Sequence, residues 1–206
     1  MKTFSKERQD EFAYYLIGNS GTFLDIGCQH PHNGNNTQAL EILGWKGVLI
    51  EKRQRFINLC KNMRKNPSFC VDATSSDMIS IISNHFPDKK VDYISLDVDQ
   101  WSIKALERVI ESGLSFKCMT FEHAVDFGDD SLDIDGGDMK SISKNILEEN
   151  GYYPLFENVK LKTGKAWEDW WINPSDFPEN IRSIHNIGCQ YDECILKLKD
   201  YMQRGK

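Results

Sequence analysis

Thr22-Phe23-Leu24-Asp25-Ile26-Gly27 decides the fold: an apolar run stops on a glycine, and an amphipathic stretch follows from about Asn36 to Leu43. A short strand followed by a helix is the opening of a β–α unit. The same alternation repeats outward. Before the run, residues 5–18 read as a helix with Phe12, Tyr15 and Leu16 on one face. After it come Gly47-Val48-Leu49-Ile50-Glu51, Phe69-Cys70-Val71, Val91-Asp92-Tyr93-Ile94-Ser95-Leu96-Asp97 and Lys117-Cys118-Met119-Thr120-Phe121-Glu122. Helical stretches separate them at 55–65, 76–86 and 102–112, and another follows at 139–149. Residues 152–162 and 166–172 read as two last strands. The end is an amphipathic helix with Tyr191, Cys194, Ile195, Leu198, Tyr201 and Met202 at helical spacing. Five β–α units and a two-strand return describe an α/β protein with an open doubly wound sheet. No Pro/Gly/Ser linker interrupts it. The expectation is one domain over 1–206: a leading helix in 1–20, a core over 21–175 and a helical extension over 176–206.

The 206 residues carry 25 Lys and Arg against 31 Asp and Glu, a net charge of −6, which argues against gripping nucleic acid or an anionic membrane by bulk charge. That charge is uneven. Lys46, Lys52, Arg53, Arg55, Lys61, Arg64 and Lys65 crowd one stretch, and Asp126, Asp129, Asp130, Asp133, Asp135 and Asp138 another. With 40% apolar and 27% charged residues, the composition excludes wholesale disorder. Apolar runs are too short for a membrane span, and the first residues lack the apolar core of a signal peptide. A soluble, cytoplasmic protein is expected. The cysteines, at 28, 60, 70, 118, 189 and 194, form no CxxC pair, so reduced buried thiols are expected over a disulfide or zinc framework.

In open sheets of this kind, ligands bind beyond the carboxyl ends of the strands. Gly27 ends the first strand and lets the backbone approach a ligand closely. Glu51 ends the second, where a carboxylate can accept ribose hydroxyls, and Asp72 follows the third, where it can accept from an adenine amine. Glycines do not recur as in G-x-G-x-x-G, since the next after Gly27 is Gly34. The ligand is therefore expected to be a nucleoside without a phosphate chain, a description that S-adenosylmethionine fits.

Phe23-Leu24-Asp25-Ile26-Gly27-Cys28 resembles the first motif of class I methyltransferases. Asn36-Thr37-Gln38-Ala39-Leu40-Glu41, Gly44-Trp45-Lys46-Gly47-Val48-Leu49-Ile50-Glu51 and Asp92-Tyr93-Ile94-Ser95-Leu96-Asp97-Val98-Asp99 together resemble the FkbM-type members. So do Phe121-Glu122-His123 and Trp167-Glu168-Asp169-Trp170-Trp171. The likeness runs collinearly over roughly 20–175. It departs in the loop Gln29-His30-Pro31-His32-Asn33-Gly34, and in Gln100 and Trp101 where a glycine and an acid are common.

The resemblance implies a seven-stranded Rossmann-like sheet of order 3-2-1-4-5-7-6. It further implies S-adenosylmethionine-dependent O-methylation of a small-molecule or glycan acceptor. Asp25, Gly27, Cys28, Gln29, Asn36, Glu51, Lys52, Asp72, Ala73 and Asp97 are then the cofactor-binding residues. Asp97, Glu122 and His123 are candidates for catalysis, with His123 favoured as general base because its ordinary pKa lies near neutrality. The competing reading of His123 is a hydrogen-bonded structural histidine. A rival arrangement gives Asp97, Asp99 and Glu122 to a divalent cation, magnesium or manganese.

His30 and His32 read as loop histidines. The tryptophans Trp167, Trp170 and Trp171 read first as strand packing, with Trp170 or Trp171 as the alternative candidate to reach an acceptor. The acidic stretch 126–138 lacks the acids of an EF-hand at Ser131 and Ile142, and reads as a solvated loop or a lid over the acceptor. Two other functions compete: a nicotinamide-dependent oxidoreductase, and a silent cofactor-binding module. The apolar face of the last helix would be the module's interface, or that of a homo-oligomer.

Overall fold

The computed structural model describes residues 1–204. Its elements are α1 (Gln9–Ile17), β1 (Thr22–Ile26), α2 (Gln38–Ile42), β2 (Lys46–Glu51), α3 (Gln54–Met63), β3 (Ser68–Cys70), α4 (Ser76–His85), β4 (Lys90–Leu96), α5 (Ser102–Glu111), β5 (Ser115–Glu122), α6 (Met139–Glu149), β6 (Tyr153–Lys160), β7 (Ala166–Ile172), β8 (Asn186–Ile187) and α7 (Tyr191–Arg204). The strands form one sheet of order β3-β2-β1-β4-β5-β7-β6-β8. β1 to β5 pair in parallel, and β7 returns antiparallel between β5 and β6. The expected order is present with one more edge strand. β8 pairs through only Asn186 and Ile187 with β6, too short a segment to show a strand period.

Alternation along the strands explains the two helical layers. Leu24, Ile26, Val48 and Ile50 face one core, shared with Met78 and Ile82 of α4, Leu106 and Val109 of α5, and Leu147 of α6. Phe23 and Leu49 face the other, shared with Phe12 and Leu16 of α1, Leu40 of α2, Cys60 of α3, and Cys194, Ile195 and Leu198 of α7. Trp170 and Trp171 are both fully buried, one in each layer. This agrees with strand packing and rules out the alternative in which one of them reaches a substrate, because both faces of the sheet are covered. Burying each such large side chain contributes about 1.5–3 kcal/mol.

Other expectations are corrected too. α1 begins at Gln9 rather than near 5, because the buried Asp10 carboxylate draws in the donors that would start a helix earlier. It accepts from Thr3 Oγ1 (2.6 Å), Phe4 N–H (2.9 Å) and Ser5 Oγ (2.8 Å). Cys189 and Cys194 are joined as a disulfide between the end of β8 and the first turn of α7, whereas Cys28, Cys60 and Cys118 are buried free thiols and Cys70 an exposed one. The apolar face of α7 packs inside the chain, so it is not an open interface for a partner or a second copy. Residues 205 and 206 of the expected extension lie outside the described residues. Among the described residues, no helix is long and apolar enough to cross a membrane.

Candidate functional site

Register brings the strand ends to one rim. Ile26 lies beside Ile50 and Leu96, and Leu96 beside Phe121, so Gly27, Glu51, Asp97 and Glu122 emerge side by side. A cleft opens there between Glu51, Asp72, Ala73 and Trp101, and next to it a chamber of about 310 Å³. Gly27, Gln29 and Asp97 border both. A larger concavity, about 780 Å³, lies at the opposite rim around Thr22, Lys46 and Lys90. In sheets of this topology it is the carboxyl rim that holds ligands.

Gly27 makes the crossing. Its φ is 86°, and a Cβ there would stand 1.8 Å from the carbonyl oxygen of Asp97. Its N–H donates to Ile50 O (2.9 Å) while Asp97 N–H donates to Ile26 O (3.0 Å), which draws three strand ends together. The next segment is pinned by Asp25. That carboxylate, 2% exposed, accepts from Thr37 Oγ1 (2.7 Å) and Asn35 Nδ2 (3.3 Å). Arg64 donates to Asn35 Oδ1 (2.9 Å) and Thr37 Oγ1 (3.0 Å). Burial pushes Asp25 up to about 6 against these donors and the Arg64 charge. Asp25 therefore holds the loop that shapes the rim. Cys28 borders the chamber, and its buried sulfur lies 3.9 Å from that of Cys60. Asn36 donates to Ser95 Oγ (3.0 Å) on the chamber wall.

In the cleft, Glu51 is 4% exposed and fully engaged. It accepts from Arg53 N–H (2.9 Å), Arg53 Nε (2.8 Å), Arg53 Nη2 (3.0 Å) and Gln29 N–H (3.2 Å). Burial raises its carboxyl, but these donors outweigh it and hold the group below the usual range. An ionised carboxylate offers about four lone-pair sites, so any further donor takes the place of Arg53. The Arg53 side chain is 42% exposed and free to leave. Asp72 accepts from Thr74 N–H (2.9 Å) and Thr74 Oγ1 (2.8 Å), both on Oδ1; those bonds lower its pKa. Lys52 Nζ lies 5.7 Å from the ring centre of Trp101, which closes the cleft.

The chamber is acidic. Glu7, Asp25, Asp97, Glu122 and Glu168 line it against Lys6, with Phe127 and Trp167 as an aromatic wall whose rings meet edge-on at 4.9 Å. Burial raises Glu122 well above the carboxylate range, and the Asp97 charge adds to it. Asp97 is raised by burial as well. Glu168, also raised by burial, accepts from Trp170 Nε1 (2.8 Å) and Gln9 Nε2 (3.2 Å).

His123 does not reach this chamber. It is fully buried, with Nδ1 accepting from Val125 N–H (3.2 Å) and Nε2 3.2 Å from Asp169 Oδ1. Its side chain alternates to the covered face while Glu122 keeps the open one. His30 and His32 stay in their loop: His30 Nδ1 accepts from the N–H groups of His32 and Asn33, and the His32 ring packs on Phe4. The acidic stretch is anchored rather than free. Asp126 accepts from Ala166 N–H (2.7 Å), Ile134 N–H donates to Gln100 O (3.1 Å), and Phe127 enters the chamber.

Several lining residues were not expected at the site, among them Trp101, Glu168, Glu7 and Phe127. Trp101 stood out as a departure from the resembled pattern and Glu168 lay within a tryptophan-rich strand, so each had a visible signal. Glu7 and Phe127 come from segments without a motif, and only folding brings them to the rim.

No protein-family model and no curated protein matches the chain. Solved structures do. A Clostridium thermocellum protein described as an rRNA methylase superposes with a TM-score of 0.54 at 13% identity, covering 84% of this chain and 97% of that one. The plantazolicin methyltransferase BamL, in complex with a substrate analogue and SAH, gives 0.51 at 14% identity over 97% and 77%. Human methyltransferase-like protein 13 with SAH gives 0.51 at 10% identity over 96% and 91%. At these identities the likeness is one of architecture, and the chain has the Rossmann-like sheet of class I methyltransferases, extended by one edge strand.

Proposed function

We propose that this chain is an S-adenosylmethionine-dependent methyltransferase acting on a hydroxyl of a sugar or other small molecule. The observation that carries the reading is the continuity of the cleft and the chamber through Gly27, Gln29 and Asp97, beside the acids that end β2 and β3. The donor set fits the cofactor. Glu51 supports the ribose once Arg53 yields, and Asp72 keeps Oδ2 for an adenine amine. Lys52, Ala73 and Trp101 flank the base, while Gln29, Asn36 and Asp97 reach toward the methionine end. The neighbours that bind SAH support this choice, as does the FkbM-type pattern, which favours a hydroxyl acceptor.

When bound, the cofactor supplies an electrophilic methyl group. The chain's part is to align the acceptor, and orientation of this kind is worth roughly 7–11 kcal/mol in intramolecular reactions. The acceptor hydroxyl must also lose its proton. Glu122 and Asp97 stand at the junction with carboxyls raised by burial, and a raised carboxyl holds a proton more tightly once it has accepted one. His123 enters this scheme as support for the β5–β7 packing.

The test is calorimetry with S-adenosylhomocysteine and NAD, followed by transfer of labelled methyl to a panel of hydroxylated acceptors. Binding of S-adenosylhomocysteine with no response to NAD is expected. Binding of NAD alone overturns the reading, and cofactor binding with no acceptor methylated leaves a binding module.

A further inference from the structure

Two buried thiols meet behind the rim. Of the free cysteines, Cys70 donates to Lys52 O (3.4 Å) and Cys118 to Asp92 O (3.6 Å), whereas Cys28 and Cys60 bond each other, sulfur to sulfur, at 3.9 Å. Cys28 follows Gly27 at the end of β1, and Cys60 lies in the last turn of α3. Cys28 is 4% exposed and borders the chamber, with the fully buried Cys60 behind it. The hydrogen bond from Cys28 holds the Cys60 thiol below its ordinary range against burial, and the Arg64 charge adds to this; the same bond and burial push Cys28 up. One sulfur of the pair is therefore disposed to give up its proton.

Both sulfurs are tied to the residue that joins cleft and chamber. Gln29 comes directly after Cys28; its carbonyl accepts from Cys60 Sγ at 3.9 Å and its N–H donates to Glu51 Oε2 (3.2 Å). A disulfide needs sulfurs about 2.05 Å apart, so the pair must close by about 2 Å. The surroundings give little. Cys28 N–H donates to Ile50 O (3.1 Å), and its carbonyl accepts from Asn35 Nδ2 (3.0 Å). The end of α3 is held by Arg64, which donates to Asn35 and Thr37 and pairs with Glu41 at 3.2 Å. Gln29, in contrast, stands at φ 45°, a left-handed conformation uncommon for a residue with a side chain. Closing the pair therefore falls on this turn and draws the Gln29 N–H away from Glu51.

We infer that Cys28 and Cys60 are an oxidation site, a dithiol that a peroxide converts to a disulfide, and that the disulfide distorts the cofactor cleft and weakens binding there. Formation of the bond depends on the two sulfurs alone, while its effect on the cofactor rests on the methyl-transfer reading. The oxidant enters through the chamber and meets Cys28. As the Cys28 sulfur attacks one peroxide oxygen, its proton passes to the Cys60 thiolate. An S–O bond forms, the O–O bond breaks, and the departing hydroxide recovers that proton and leaves as water. Cys60, again a thiolate, attacks the sulfenic sulfur of Cys28. The S–S bond forms, the S–O bond breaks, and hydroxide leaves, to be protonated by solvent. Two electrons pass from the sulfurs to one hydrogen peroxide, which ends as two waters.

The experiment uses the full chain, reduced with dithiothreitol, freed of it and then treated with hydrogen peroxide. Peptide mapping by mass spectrometry locates the crosslink, hydrogen exchange follows residues 27–33, and calorimetry measures S-adenosylhomocysteine. Wild type, Cys60→Ala and Cys60→Ser are compared, with circular dichroism as the folding control. Cys189 and Cys194 re-form their disulfide in all three chains alike, so the variants isolate the pair; if neither folds, mapping, exchange and binding in wild type decide. The expected result is a Cys28–Cys60 disulfide, faster exchange in 27–33, and binding at least roughly tenfold weaker, for loss of a hydrogen bond to a charged group. Dithiothreitol should reverse all three, and no folded variant should show them. Absence of the crosslink in a chain that binds S-adenosylhomocysteine overturns the site and spares the methyltransferase reading. A crosslink that leaves exchange and binding unchanged overturns it as well. So does an equal loss of binding in a peroxide-treated variant, since another cysteine is then the group oxidised. A crosslink with faster exchange, in a chain that binds no S-adenosylhomocysteine even when reduced, supports the site and counts against the methyl-transfer reading.

Discussion

The Cβ that Gly27 lacks would stand 1.8 Å from the carbonyl oxygen of Asp97, so the end of β1 and the end of β4 share one space. Gly27→Ala is expected to separate those ends. The positive φ alone costs an alanine about 1–2 kcal/mol, and the backbone clash adds to it. The checks are a lowered melting temperature and lost calorimetric binding of S-adenosylhomocysteine; retained binding refutes the close approach as the reason for glycine.

Arg53 and a ribose compete for Glu51. Arg53→Ala should therefore bind S-adenosylhomocysteine more tightly, by up to about fivefold, the value of a partly exposed ion pair of at most about 1 kcal/mol. Glu51→Ala should bind it more weakly, by at least roughly tenfold, for loss of a hydrogen bond to a charged group. Weaker binding in Arg53→Ala would show that the guanidinium holds the ligand instead of giving way to it.

Asp25 carries a pH dependence. Its carboxyl stands at about 6 when folded against an ordinary value of 3.8, because burial disfavours the charged form. The folded chain thus holds a proton that the unfolded chain has released, and stability falls as pH rises from about 4 to 6. The shift corresponds to about 3 kcal/mol. Asp25→Asn should flatten that part of the profile in urea melts, since Thr37 and Asn35 both bond Oδ2 and an amide oxygen can stand there. A profile as steep as that of wild type would remove Asp25 as the cause.

His123 is expected to matter for stability. His123→Ala opens a cavity beside Asp169 and should destabilise by about 3–5 kcal/mol, as truncating a fully buried ring does. The milder His123→Gln should keep the pH dependence of turnover. A limb lost from the pH–rate profile of His123→Gln would return the histidine to the base role.

Trp101→Ala should weaken binding of S-adenosylhomocysteine more than it lowers the melting temperature, because the half-buried ring closes the cleft and belongs to neither core layer. Calorimetry beside thermal melts decides it; a large fall in melting temperature with unchanged affinity would make the ring structural.

The strand ends were legible because each lies at a break in the hydrophobic pattern. Gly27, Glu51, Asp72, Asp97 and Glu122 all fall where an apolar run stops, and all border the cleft or the chamber. Helices α4, α5 and α6 were legible from their apolar spacing, and α6 spans the expected 139–149. The start of α1 was hidden, since it depends on which donors Asp10 captures. So was the disulfide, since spacing along a chain does not report the distance between Cys189 and Cys194 in space.

By itself, the order of apolar runs and breaks determined the α/β class and the rim on which the acids sit, while the strand order through β7 followed from the resemblance of the motifs to class I methyltransferases. Tertiary structure decided which side chains share that rim. It turned His123 inward beside Asp169, buried Trp170 and Trp171 on opposite faces, and brought Glu7, Phe127 and Glu168 into the chamber with Glu122. The reason is physical. Periodicity is written locally, one residue against its near neighbours, whereas facing, burial and charge depend on strands and loops that meet only when the sheet has formed.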